Sequence, residues 1–229
     1  MSKRTNTETK HSRIAIVDDH TMMREGLKQL IESDSALQCC GIASNTAEAL
    51  RLVETEKPDL LTVDITLPGR NGLELIKDVL AVNPTLPILV ISMHDESLYA
   101  QRVLKAGAKG YVMKDADSAT LLKAIHRVLE GVIYVSPAMS AQILEAFSGR
   151  HSNRPVEGVH KLSDREFEVF QLIGEGKSTQ QIADTLNISV KTVEVHRAHI
   201  REKLKLEDGA AVLRYAVRWN ESRKLGTAG

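Results

Sequence analysis

Five short apolar runs punctuate the first half of the chain: Ile14-Ala15-Ile16-Val17, Leu37 to Ile42, Leu60-Leu61-Thr62-Val63, Ile88-Leu89-Val90-Ile91 and Gly110-Tyr111-Val112-Met113. Between them, segments such as Met23–Ile31 and Leu121–Leu129 space their apolar residues by three and four, as one buried helix face requires. Short, uninterrupted apolar runs are what strands covered on both faces look like. Their alternation with helices implies right-handed crossovers and a parallel sheet. The pattern predicts a small, doubly wound α/β domain with five strands.

The second half reads differently. Ser136–Ser148 predicts a connecting helix, and Gly149–Gly158 loses all periodicity while gathering Gly, Pro, Ser and Asn, so it predicts a linker. Beyond Lys161 no strand signal remains, and helical patterns cover 164–174, 178–186, 189–204 and 208–219. Ser163-Asp164-Arg165-Glu166 and Ser178-Thr179-Gln180-Gln181 both fit the capping box, in which a Ser hydroxyl and a Glu or Gln satisfy each other's backbone amides. Gly174-Glu175-Gly176 ends the first of these helices. Leu186-Asn187-Ile188-Ser189 is a turn of the length that joins helix-turn-helix units.

Composition narrows the classes. Hydrophobic residues make up 42% and charged residues 26% of 229, too apolar for disorder. Aromatics are 3%, so the cores must rest on Leu, Ile, Val and Ala. The longest apolar stretch, around Pro87–Met93, falls far short of the roughly 20 residues of a membrane helix. Met1 to Arg13 is polar, without the apolar centre of a secretory signal, and reads as a disordered tail. Adjacent Cys39 and Cys40 support neither a disulfide framework nor a metal site. These readings predict a cytoplasmic protein. Thirty basic residues balance thirty acidic ones overall, yet Ile188 to Lys224 holds nine basic against five acidic. That local excess hints at a phosphate-facing surface near the C-terminus.

The chemistry stands immediately after the apolar runs. The first ends in Asp18-Asp19, the third in Asp64, the fourth in Ser92 and the fifth in Lys114. In a parallel sheet these ends share one edge, and the crevice outside it is where such folds bind ligands. Taken singly, an Asp there can cap a helix or complement its dipole, and the Lys or Ser can simply face solvent. Jointly, three carboxylates repel unless a hard divalent cation neutralises them. Mg²⁺ takes one or two carboxylates and keeps room for a phosphoryl oxygen, Lys supplies a second positive charge, and Ser donates to another oxygen. The set forms a cradle for a phosphoryl group on Asp64.

At these residues the chain resembles the receiver domain of two-component response regulators, over 13–131. The matching stretches are Val17-Asp18-Asp19-His20, Asp64-Ile65-Thr66-Leu67-Pro68-Gly69 with Asn71-Gly72, Ser92-Met93-His94, and Ala106 through Lys114. The resemblance implies a flavodoxin-like fold in which Asp64 accepts a phosphoryl group from a histidine kinase. It implies that Asp19 and Asp64 bind Mg²⁺ directly, Asp18 through water and Thr66 through its backbone carbonyl. Ser92 and Tyr111 would be the switch pair and Lys114 the phosphate partner. Met93 departs from the smaller residue many receivers carry after the switch Ser.

Residues 161–206 resemble the LuxR-type helix-turn-helix of the NarL/FixJ subgroup. The matches include Leu162-Ser163-Asp164-Arg165-Glu166, Gly176-Lys177-Ser178, Ile182-Ala183, Leu186-Asn187-Ile188-Ser189, and Thr192-Val193-Glu194-Val195-His196-Arg197. On the Ser189–Leu204 helix, Val193, Ile200 and Leu204 fall on one side and would pack inward. Lys191, Val195, Ala198 and Glu202 lie opposite. A major-groove reading assigns Lys191, Glu194, Val195 and Ala198 to base edges, Arg197, Arg201, Lys203 and Lys205 to phosphates, and counts Thr192 among the DNA-binding residues. The same residues would also serve as a solvated helix face.

The expected organisation is a receiver over 13–131, a linker with a helix over 132–160, and an all-α, four-helix, LuxR-type domain over 161–224. The expected function is a transcription regulator, not an enzyme, controlled by Asp64 phosphorylation with Mg²⁺. Promoter DNA, a sensor kinase and a second copy of the chain would be its partners, with no membrane. A Mg²⁺-dependent phosphohydrolase is the enzymatic rival. It requires a carboxylate two residues after the nucleophile, where this chain has Thr66. A vestigial, phosphorylation-independent receiver is the other, and the intact set of Asp18, Asp19, Asp64, Ser92 and Lys114 argues against it.

Overall fold

The computed structural model describes residues 11–68, 70–147 and 158–226, and divides into two compact units, Met1–Ser148 and Gly149–Gly229. Residues 1–10 of the expected tail and 149–157 of the expected linker lie outside the described residues, whereas Ser12 and Arg13, read from sequence as tail, open the first strand, where Ser12 N–H donates to Ala36 O.

The first unit alternates β1 (Ser12–Val17), α1 (Thr21–Glu32), β2 (Leu37–Ala43), α2 (Thr46–Glu56), β3 (Leu60–Val63), α3 (Gly72–Val82), β4 (Ile88–Ser92), α4 (Glu96–Ala106), β5 (Gly110–Met113) and α5 (Ser118–Leu129). All pairings are parallel, in the order β2-β1-β3-β4-β5. Ile14, Ile16, Leu60, Leu89 and Ile91 are at most 1% exposed, as strands with helices on both faces require. In α5, Leu121, Ala124, Ile125 and Val128 recur at three- and four-residue spacing and pack into that core.

The two sheet edges are finished differently. On β2, Cys39 aligns with Ile14 and Gly41 with Ala15, so Cys40 is left as the extra residue of a bulge. Burial pushes both thiols above the ordinary cysteine range, which keeps them protonated. Beyond β5, Tyr134 runs parallel to Gly110: its carbonyl accepts from Tyr111 N–H at 2.9 Å and its N–H donates to Lys109 O at 2.9 Å. The chain then enters α6 (Pro137–Phe147), near the expected bounds, and Glu96 Oε1 of α4 accepts from Ser136 N–H at 2.8 Å.

The second unit has a 3₁₀ turn (Val159–Lys161) and then α7 (Asp164–Gly174), α8 (Thr179–Leu186), α9 (Val190–Lys203) and α10 (Gly209–Gly226). Both expected capping boxes form, from Ser163 with Glu166 and from Ser178 with Gln181. Asn187 ends α8 in the left-handed conformation, which Asn tolerates better than most residues. Phe167 and Phe170 of α7 meet the only tryptophan, Trp219 of α10, at ring centroid distances of 5.7 and 5.4 Å. A Cβ on Gly174 would stand 2.7 Å from Ala216 O, so only glycine lets these two helices approach so closely.

Candidate functional site

The strand order reverses between β1 and β3, which places the turns after those strands beside each other. Asp18 and Asp19 leave the end of β1 and Asp64 the end of β3. None caps a helix: His20 stands at the N-cap of α1 without a side-chain cap bond, and Asn71 caps α3 by accepting from Glu74 N–H. The ligand atoms of Asp18, Asp19, His20 and Asp64 lie within 4.8 Å of one another.

Lys114, from the end of β5, reaches into this cluster. Its Nζ donates to Asp18 Oδ2 at 2.6 Å and to Asp64 Oδ2 at 2.7 Å, and all three side chains are at most 6% exposed. Burial opposes the ammonium charge, but the two carboxylates outweigh it and hold Lys114 above the ordinary lysine range. Burial raises the Asp64 carboxyl above its ordinary value, with Lys114 opposing that rise. Asp18 Oδ1 accepts from His20 N–H at 2.9 Å, so both Asp18 oxygens are engaged within the protein. Asp64 Oδ1 is buried with no hydrogen-bond partner. Asp19 remains one-third exposed, with His20 Nδ1 at 2.7 Å. An oxygen-rich, negative donor set in which neither Asp64 Oδ1 nor Asp19 Oδ1 has a hydrogen-bond partner fits a hard divalent cation.

Ser92 and Tyr111 are fully buried, in β4 and β5. Between them stands a residue to which the sequence reading gave no role. His94 donates its backbone N–H to Ser92 Oγ at 3.3 Å, and its carbonyl accepts from Tyr111 Oη at 2.5 Å. Its Nε2 pairs with Thr66 Oγ1 at 3.0 Å, and its ring lies 4.6 Å from that of Tyr99. Burial keeps the imidazole below its ordinary range and the Tyr111 phenol well above its own, so at neutral pH the ring is uncharged and the phenol is a donor. Only its place in Ser92-Met93-His94 could have signalled this, because spacing says nothing of a turn's side-chain directions. Met93 is 68% exposed.

Gly72 holds the loop after Asp64. Its N–H donates to Ile65 O at 2.8 Å, and a Cβ there would lie 2.1 Å from Asp64 O.

In the second unit, Val193 and Ile200 of α9 are fully buried and Leu204 is half-buried. Lys191, Glu194, Val195, Ala198, Arg201 and Lys203 are exposed, while Thr192 and Arg197 are half-buried. Thr192 N–H donates to the capping Ser189 Oγ at 3.0 Å. Lys203 is turned inward to a structural partner: its Nζ donates to Glu166 Oε2 of α7 at 2.6 Å. Burial favours the neutral Glu166 carboxyl, but Lys203 and the Ser163 cap overcome it and hold the group below its ordinary range. Such a group adds stability above the ordinary glutamate value of 4.5 that is lost as pH falls through its lower folded value. Acid unfolding followed by Trp219 fluorescence should therefore lose one step's pH dependence in Glu166→Gln. At neutral pH, Lys203→Ala should cost about 1–3 kcal/mol, by leaving the buried carboxylate short of a partner.

Arg165, also unassigned from sequence, braces the turn between α8 and α9. Its Nη2 donates to Leu186 O at 2.7 Å and its Nη1 to Glu168 Oε2 at 2.7 Å, with both side chains at most 15% exposed. Arg165→Ala removes the donor to Leu186 O and the ion pair to Glu168, and should destabilise this unit by about 1–3 kcal/mol in urea, again read by Trp219.

Comparison with known proteins matches 14–126 to the response regulator receiver domain and 160–216 to the bacterial regulatory proteins of the luxR family. The oxygen regulatory protein NreC of Staphylococcus carnosus (strain TM300) is 33% identical over 210 residues, covering 90% of this chain and 97% of NreC. The transcriptional regulatory protein DegU of Brevibacillus brevis is 33% identical over 208 residues, 85% of this chain and 88% of DegU. RcsB of Salmonella enterica serovar Typhimurium, solved bound to a promoter with the phosphomimetic BeF3-, is 25% identical. It covers 90% of this chain and 98% of its own, with a TM-score of 0.62.

Proposed function

Because the chain belongs to the NarL/FixJ-type response regulators, two-component transcription regulators rather than enzymes, we propose that its control point is phosphorylation of Asp64. The observation that carries this reading is the buried Asp18–Lys114–Asp64 arrangement with Asp64 Oδ1 left unpartnered. A carboxylate oxygen of Asp64 attacks the phosphorus of a kinase phosphohistidine. The new P–O bond replaces the P–N bond, and the histidine nitrogen leaves with a proton from solvent. Asp19 and Asp64, with Asp18 and the Thr66 backbone carbonyl beside them, would hold Mg²⁺, which would supply positive charge against the transferring phosphoryl oxygens.

Lys114 is positioned to exchange its bond to Asp64 for one to the new phosphoryl oxygens. Ser92 Oγ, now the acceptor for His94 N–H, would turn to donate to the same group. Losing that contact frees the turn whose carbonyl holds Tyr111 Oη, so Ser92, His94 and Tyr111 move together. Glu96, two residues on, is bonded to the start of α6, which extends the change to the connecting helix.

The output reading places α9 in the major groove of promoter DNA, with Lys191, Thr192, Glu194, Val195 and Ala198 near base edges and Arg197 and Arg201 near phosphates. Lys203 serves chiefly to fix α9 against α7. One short helix reads few bases, so a dimer on paired half-sites raises affinity through effective concentration. DNA as target supports a cytoplasmic location. Among the described residues no helix is long and apolar enough to cross a membrane.

Acetyl phosphate with Mg²⁺ should label wild type and not Asp64→Asn, and should strengthen footprints on genomic DNA only in wild type. Labelling of Asp64→Asn, or labelling indifferent to a chelator, overturns the reading.

A further inference from the structure

We propose that Arg24 is a positioning residue for the cation site: its guanidinium fixes the peptide between Asp18 and Asp19, and so sets the directions in which both carboxylates leave the β1–α1 turn. This rests on the reading of that cluster as the Mg²⁺ site. The helices after β2 to β5 begin with an Asn or Asp cap, whereas α1 has neither a side-chain cap bond nor an acidic residue in its first turn. The acids before it are committed to the cluster, so the turn needs another support.

Arg24, one turn into α1, reaches back to supply it. Nη1 donates to Asp18 O at 2.6 Å, Nη2 to Thr21 Oγ1 at 3.0 Å, and the Arg24 backbone N–H to His20 O at 3.1 Å. The Asp18 carbonyl belongs to the peptide plane joining the two acids, so holding that oxygen limits rotation on both sides of it. A rigid, two-pronged guanidinium suits this task, and an ammonium on a flexible stem does not. Partners that orient metal ligands in this way are typically worth about 10- to 100-fold in metal affinity.

The sign of the effect separates positioning from charge. A cation near a cation site repels the ion, so if Arg24 acted by charge alone its removal would tighten binding. Positioning requires the opposite. Mn²⁺ uptake by the full chain, followed by electron paramagnetic resonance of the free ion with Mg²⁺ as competitor, makes the comparison.

Arg24→Met and Arg24→Lys are each expected to raise the Mn²⁺ Kd by about 10-fold. Thr21→Val, which removes only one acceptor of the brace, should raise it less. Melting in chelator identifies any variant unfolded at the assay temperature, and Arg24→Lys with Thr21→Val then carries the comparison. Unchanged or tighter Mn²⁺ binding in the folded Arg24 variants, with only a lower metal-free melting temperature, overturns the inference and leaves Arg24 as a helix support. Failure of wild type to take up Mn²⁺, or uptake untouched by Asp64→Asn with Asp19→Asn, overturns the metal reading itself and the Arg24 role with it.

Discussion

Gly72→Ala is expected to slow acetyl-phosphate labelling of Asp64 by about 100-fold or more, with a stability loss of about 1–3 kcal/mol. The new methyl would fall 2.1 Å from the backbone oxygen of Asp64 and 2.9 Å from Ile65 Cα, against rigid main chain rather than a side chain that can swing aside. An ordinary carbon–oxygen contact needs more than 1 Å of further separation, so either the start of α3 or the end of β3 must shift. A shift at the end of β3 carries Asp64 away from Lys114, whose bond to it is 2.7 Å. Labelling with radioactive acetyl phosphate measures the rate, and urea unfolding by circular dichroism measures the stability. Wild-type labelling in Gly72→Ala would mean that the loop relaxes without moving the acid.

Lys114→Met is expected to destabilise the first unit by about 3–5 kcal/mol in chelator, because it strands two buried carboxylates without their cation. Asp18 and Asp64 side chains are 2% and 3% exposed, so water cannot take over from the ammonium. Three reliefs should restore part of the loss: added Mg²⁺, the second substitution Asp18→Asn, and lower pH. The last follows from sign. Burial already holds the Asp64 carboxyl above its ordinary value with Lys114 opposing, so losing the ammonium raises it further and the deficit shrinks as pH falls through that raised value. Circular dichroism in urea tests the stability, with Trp219 fluorescence marking the second unit separately. Equal stability of Lys114→Met and wild type in chelator would show that the carboxylates are solvated or protonated already.

The architecture was legible because it is written in periodicity. Runs such as Ile88–Ile91 admit few alternatives to a strand covered on both faces, and the two capping boxes fix helix starts to a residue. Strand-end chemistry followed, since parallel topology alone brings Asp18, Asp19, Asp64 and Lys114 to one edge. What spacing does not encode is where a side chain turns once it leaves a loop. His94, Arg24 and Arg165 all act through bonds to backbone carbonyls or neighbouring turns, and no one-dimensional pattern distinguishes such a residue from a solvated one. Lys203 is the converse. Its helical position suits a phosphate contact, yet the buried Glu166, 37 residues away in the chain, takes its ammonium.

The unlike finishes of the sheet's two edges bear on how the molecule behaves in a crowd. A parallel sheet of apolar strands offers any exposed edge as a template for strands of other copies, the usual route to fibrous aggregates. Here the bulge at Cys40 breaks the ladder on one side, and Tyr134 occupies backbone groups of Lys109 and Tyr111 on the other. Protection on the β5 side thus comes from the very segment that leads toward the connecting helix. Cutting the chain just after α5, as one might to isolate the first unit, would strip that cover. A fragment ending at residue 131 should accordingly be more prone to self-association than one ending at 147, a difference that light scattering at rising concentration would reveal.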